Sequence, residues 1–164
     1  AGARAVILDL RNNPGGILNQ AVDLAGHFLP PGTLVVTEVP REKDRAREYR
    51  TTGPADLLHL PVVVLINGGS ASASEILAAA LHEQRGVPLV GEQTFGKGSV
   101  QELVDLSDGA SVRVTIARWH TPRDHDISED GIPPTAKVED QKPEEDPDEI
   151  LAAAFEVLRQ PTPR

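Results

Sequence analysis

Val62-Val63-Val64-Leu65-Ile66 is an unbroken apolar run, followed by Asn67-Gly68-Gly69 and then by Ser70-Ala71-Ser72-Ala73-Ser74-Glu75 leading into Ile76-Leu77-Ala78-Ala79-Ala80-Leu81. The spacing predicts a core strand over 57–66, a glycine turn, and a helix from about Ser72 to Gln84. Serines at a helix start sit beside unpaired backbone N–H groups and the positive end of the helix dipole. An oxyanion would be stabilised there.

The same alternation recurs elsewhere. Ala5 to Leu10 reads as a buried strand, broken by Asn12-Asn13-Pro14-Gly15-Gly16 before a helix over 17–29. In that helix Ile17, Ala21, Leu24, Ala25 and Phe28 fall at helical spacing, and Pro30-Pro31-Gly32 stops it. Residues 33–39 are β-rich, 41–52 are charged and read as an exposed hairpin or loop, and 87–90 is a short strand. Residues 98–106 and 111–118 read as antiparallel partners around Ser107-Asp108-Gly109. Residues 148–160 form a last amphipathic helix with Ile150, Leu151, Ala154, Phe155 and Leu158 on one side and acids at its start. Strands alternating with helices, then a hairpin, imply an α/β fold with a mixed sheet.

At 164 residues the chain is one domain's worth, enough to bury about two thirds of its unfolded surface. It contains no methionine, so it is expected to be a processed form or an excised fragment. The absence of cysteine removes disulfides and thiolate chemistry and leaves oxygen or nitrogen nucleophiles. No stretch reaches the roughly 18 apolar residues of a membrane span. The net charge is −9, of which −6 lies between Glu139 and Glu149. This uneven acidity argues against nucleic-acid binding, which needs a basic face. The acidic run with Pro143 and Pro147 reads as a solvated linker over 139–147.

Two stretches carry chemistry. Ser72 and Glu75 have the S-x-x-E spacing of a capping box, an ordinary structural role. Lys97 lies between Gly96 and Gly98 after Phe95, a setting that allows close approach and partial desolvation. A lysine base must be neutral; an ordinary amine near 10.4 needs about 4 kcal/mol to come down near 7, supplied by burial or positive charge. If the chain is extended from Lys97 to Gln101, both side chains share one face, where the amide could orient the amine. The N–H groups of Gly15 and Gly16 stand at another strand end and helix start and could point into the same crevice. A Ser/His/Asp triad finds no support, since His82 is roughly 15 Å along the helix from Ser72. His27 and His59 have no acid at obvious spacing, and His120 and His125 lie in a polar loop. No metal or cofactor motif is read, including phosphate-binding glycine spacings.

Leu8-Asp9-Leu10-Arg11-Asn12-Asn13-Pro14-Gly15-Gly16, Ser70-Ala-Ser-Ala-Ser-Glu75-Ile76, Val90-Gly91-Glu92 through Thr94-Phe95-Gly96-Lys97-Gly98, and Val100-Gln101 together resemble the C-terminal processing peptidases, or tail-specific proteases. Thr121-Pro122 and Gly131-Ile132-Pro133 resemble the segment that closes the family's core. The resemblance implies a Clp protease/crotonase-like core of β-β-α units over residues 1–138, incomplete at its N-terminus and without the family's PDZ domain, followed by the linker and a C-terminal helix and tail over 148–164. It implies Ser72 as nucleophile, Lys97 as general base and Gln101 as the residue orienting the lysine. The implied oxyanion hole is the N–H of Ala73 with that of Gly15 or Gly16. It implies substrates that are protein or peptide C-terminal tails, no cofactor, possible oligomers, and export to a periplasm or cell envelope. The chain by itself is expected to turn over weakly or not at all. The rival expectation is a non-catalytic binding module of the same fold, holding an apolar ligand or peptide.

Overall fold

The computed structural model describes residues 2–107, 109–139 and 148–160. Two four-stranded sheets carry the fold. The first is parallel, with β1 (Val6–Asp9), β4 (Val62–Ile66), β5 (Leu89–Gly91) and β8 (Ala136–Lys137) side by side in that order. The second is antiparallel, in the order β3 (Arg47–Arg50), β2 (Leu34–Pro40), β7 (Ser111–His120) and β6 (Ser99–Asp105). The α/β class is as expected, with parallel and antiparallel pairing divided between two sheets.

The apolar run of β4 is explained by its position. It pairs with β1 on one side and β5 on the other, and every residue from Val62 to Ile66 is at most 5% exposed. Val62, Val64 and Ile66 face a core shared with α1 (Leu18–Phe28), α2 (Ala73–Arg85) and Ile127 of the short α3 (Ile127–Asp130), as the two-residue period of a strand requires. Val63 and Leu65 face the opposite side, where α4 (Glu149–Arg159) seats Ile150 and Ala154 against them and Val90. Helices on both faces of a parallel sheet are the arrangement that buries such a strand.

The strand is shorter than its apolar composition suggested. Pro61 lacks an N–H, and residues 55–60 turn on themselves through Leu58 N–H to Ala55 O and Leu60 N–H to Leu57 O. β1 is an edge strand of intermediate burial, so only Leu10, just past its end, is fully buried. In α1, Ala21, Ala25 and Phe28 are buried as read, but Ile17 is 63% exposed because it precedes the helix and stands over a groove. In α4, Phe155 likewise stays outside, 48% exposed. Of the hairpin and the loop expected for the charged stretch, the structure has the hairpin: a short 3-10 turn over Lys43–Arg45 leads into β3. Asp108 of the hairpin turn, residues 140–147 of the expected linker and the tail over 161–164 lie outside the described residues.

α4 begins at Asp148, whose Oδ1 accepts the Leu151 N–H at 2.8 Å and a hydrogen bond from Arg11 Nη1 at 2.8 Å. Burial pushes the Asp148 carboxyl up, but these donors outweigh it, and it titrates below the usual aspartate range. A depressed carboxyl contributes stability that is fully present above its unfolded value, about 3.9, and is lost as pH falls through the folded value. The stability advantage of the native chain over Asp148→Asn should therefore hold at pH 6 and shrink on acidification below about pH 4. Thermal unfolding of both proteins across that range checks it; a gap independent of pH would contradict it.

Candidate active site

The loops that leave the C-terminal ends of β1, β4 and β5, with the first turn of α2, hold Gly15, Gly16, Ser72, Ala73 and Lys97; Gln101 lies in β6. Strands β1, β4 and β5 are adjacent, with β4 in the middle. Ligands of parallel sheets collect at this edge because the helix N-termini and loop N–H groups open there. Ser72 follows the central strand, Gly15 and Gly16 follow β1, and Lys97 follows β5.

Ser72 is not an ordinary cap residue. Its backbone is at φ 57 and ψ −119, in a region L residues rarely adopt, whereas a helix cap normally has extended angles. The strain turns the chain sharply from strand to helix and leaves the residue half-buried at the first turn of α2. The sharp strand-to-helix elbow that presents a serine in α/β-hydrolases has this character. The two flanking serines are committed elsewhere. Ser70 is fully buried, and its Oγ donates to Leu10 O at 2.7 Å; Ser74 is 4% exposed within α2.

Glu75 connects the serine to the lysine loop. It is 0% exposed. Its Oε2 accepts the N–H of Ser72 at 2.7 Å and of Lys97 at 2.9 Å. Its Oε1 accepts the Thr94 hydroxyl at 2.6 Å and the Gly96 N–H at 2.8 Å. Thr94 Oγ1 in turn accepts the Ile132 N–H at 2.7 Å, so the segment before β8 is tied in as well. Sequence reading saw only the capping-box half of Glu75; its contacts with Thr94, Gly96 and Lys97 span about twenty residues and leave no local signal.

Gly15 has a different duty from Gly16. A Cβ on Gly15 would fall 2.5 Å from Ala71 O, 2.7 Å from Ala73 N and 2.9 Å from Ser72 Cβ, and its φ is +89. The glycine loop is therefore pressed against the serine turn. The Gly15 N–H donates to Asn13 Oδ1 at 3.0 Å, and the Ala71 N–H donates to Asn13 O at 3.0 Å. The Gly16 N–H has no hydrogen-bond partner among the described residues, and nothing lies within 4 Å of where its Cβ would be. Beside it runs an open groove of about 160 Å³, lined by Ile17, Gln20, Ala21, Leu24, Ala73 and Leu77 among others.

Two expectations need correction. Lys97 is exposed rather than desolvated. Its flanking glycines serve the packing of the loop backbone: a Cβ on Gly98 would meet Ser128 N at 2.4 Å, and one on Gly96 would come within 3.3 Å of Gly131 N. Gln101 is also exposed, and the ladder between β6 and β7 shifts register between Val100 and Gln101. Simple alternation from Lys97 therefore does not place the two side chains. Among the described residues no histidine hydrogen-bonds Ser72. His82 Nδ1 lies 3.0 Å from Val87 O, and His27 does have an acid, Asp56 Oδ1 at 2.8 Å, which its sequence spacing had hidden.

The parallel sheet flanked by helices, beside an antiparallel sheet, defines an α/β core of the Clp and tricorn kind. The comparisons make this specific: residues 1–138 match Peptidase family S41, and the chain belongs to that family. It is 49% identical over 138 residues to the carboxyl-terminal-processing protease of Synechocystis, covering 84% of this chain and 32% of that protein. It is 43% identical over 138 residues to the carboxy-terminal processing protease CtpA of Bacillus subtilis, with 84% and 29% covered. The solved photosystem II D1 C-terminal processing protease superposes with a TM-score of 0.77 at 38% identity, over 97% of this chain and 40% of that one. The chain thus spans about a third of the length of the curated relatives it matches. No described helix is long and apolar enough to cross a membrane.

Three substitutions test this packing. Glu75→Ala leaves buried donors unpaired and should cost about 3 kcal/mol, since each orphan is worth about 1–3 kcal/mol. Gly15→Ala should destabilise the fold clearly, while Gly16→Ala, with free space around it, should have little effect on stability. Denaturant unfolding measures all three; equal costs at the two glycines would refute the close approach.

Proposed function

We propose that this chain is the catalytic portion of a serine endopeptidase that hydrolyses peptide bonds near the C-termini of protein substrates; its relatives are named carboxyl-terminal-processing proteases. The observation that carries the reading is the Glu75 carboxylate, which accepts the backbone N–H of both Ser72 and Lys97 on one oxygen. Such a link makes sense where the two residues must act together.

In this reading Ser72 Oγ attacks the scissile carbonyl while Lys97 Nζ takes its proton. The carbonyl oxygen becomes an oxyanion held by the N–H groups of Ala73 and Gly16. Gly16 is preferred to Gly15 because the Gly15 N–H is already spent on Asn13. Collapse breaks the C–N bond as Lys97 returns the proton to the leaving amine. Water, deprotonated by Lys97, then releases the acyl group from Ser72. Gln101 orients the lysine. The apolar groove beside Gly16 receives a substrate side chain. A peptide lying across Ser72 covers Lys97 and withdraws water from it, favouring the neutral amine that a base must be. The protein acts in a periplasm or cell envelope.

The exposure of Lys97 favours the second reading, a binding module that uses the same groove without chemistry. Substitution separates them. In the full-length protein, Ser72→Ala and Lys97→Ala should each lower cleavage of a tail-bearing substrate by at least about 10³-fold with an unchanged melting temperature. Gln101→Ala should lower it about tenfold. Cleavage that persists in either of the first two variants overturns the peptidase assignment of those residues.

A further inference from the structure

Arg11 sits between β1 and the glycine loop, and its guanidinium is clasped from two layers of the fold. Nε and Nη2 donate to Asp9 Oδ1 and Oδ2 at 2.9 and 2.7 Å, and Nη1 donates to Asp148 Oδ1 at 2.8 Å. Only 18% of the Arg11 side chain is exposed. Asp148 is 137 residues away and belongs to the N-terminus of α4, on the face of the parallel sheet opposite α1 and α2.

The backbone beyond Arg11 has little slack. Asn12 adopts a left-handed φ of 55; its N–H donates to Asn67 Oδ1 at 2.9 Å, and its own Oδ1 accepts from Asn67 Nδ2 at 3.1 Å. Asn13 then holds the Gly15 N–H through its side chain and the Ala71 N–H through its carbonyl. The residue before Ser72 and the glycine loop are therefore both attached within two residues of the Arg11 clasp. A displaced clasp would turn Gly16 away from the serine, and small misplacements of an oxyanion donor are costly.

We infer that Arg11 and Asp148 are positioning residues, through which the docked helix α4 fixes the Gly15–Gly16 loop from the far side of the sheet. This rests on the proposed role of Gly16 in peptide hydrolysis. Asp148 touches neither substrate nor the reacting atoms; it acts only through Arg11.

A double-mutant cycle in the full-length protein tests it, using Asp148→Ala, Arg11→Ala and the pair, with the conservative Asp148→Asn alongside. Asp148→Ala should lower kcat about tenfold while KM stays within about twofold. Asp148→Asn, which keeps an acceptor for Nη1 and for the helix N-terminus, should fall between it and the native protein. In the Arg11→Ala background, Asp148→Ala should have no further effect. Backbone amide exchange at Gly15 and Ala71, whose N–H groups Asn13 holds, should quicken in Asp148→Ala while α2 keeps its protection. Additive effects of the two substitutions on kcat, or exchange at Gly15 and Ala71 unchanged in Asp148→Ala, would overturn the inference. Should Ser72→Ala retain cleavage, the peptidase reading fails by itself, and the exchange measurement alone decides the mechanical link. If Asp148→Ala unfolds, Asp148→Asn carries the same readouts.

Discussion

A fully buried carboxylate is expensive unless the protein surrounds it with donors, and Glu75 is surrounded. Two backbone N–H groups meet one of its oxygens; a hydroxyl and a third N–H meet the other. Hydrogen bonds to a charged acceptor are about twice as strong as neutral ones, which offsets much of the cost of removing the charge from water. The consequence is geometric. One rigid group at the first turn of α2 sets where the segment over 94–97 can run, and through Thr94 it also sets the segment before β8. Replacing this arrangement with apolar packing could hold α2, but it would leave the loop after β5 without a template.

The glycines complete that template by allowing backbones to touch. Gly15 meets the serine turn, Gly98 meets the backbone of Ile127 and Ser128, and Gly91 at the end of β5 would put a Cβ only 2.2 Å from Ile66 O. Close backbone contact positions loops more tightly than flexible side chains can. The strained Ser72 backbone persists for the same reason: its N–H is held by Glu75, and Gly15 presses on its far side. Strain of about 1–3 kcal/mol at one residue is tolerated when neighbours over-determine the conformation.

The parts legible in the sequence are those with local causes. The apolar run of β4, the Ser72 and Glu75 spacing, the proline stop after α1 and the amphipathic pattern of α4 each follow from residues a few positions apart. Division of the strands between two sheets was not legible, because pairing is decided by which edges meet in space. The use of the Lys97 glycines was misread for a related reason. A glycine pair beside a lysine looks the same in sequence if it serves the amine or the backbone, and only the position of Ile127, Ser128 and Gly131 decides for the backbone. The pairing of His27 with Asp56 was hidden because a loop brings the acid back to the helix end.

The exposure of Lys97 and the burial of Glu75 belong to one design. The loop backbone is held from below by the carboxylate, so the amine above it is free of any need to anchor the segment. An amine that served as anchor would be paired with an acid and locked in its charged form, the wrong state for a base. Holding the loop through its N–H groups separates position from protonation. Under the proposed reading, desolvation of Lys97 is then left to a peptide lying across the edge of the sheet, so the same surface would be wet when empty and dry when covered. In the proposed role of Lys97 as base, a buried lysine would be poised permanently, at a permanent cost in folding stability; an exposed one on a fixed backbone would meet that cost only in the proposed complex.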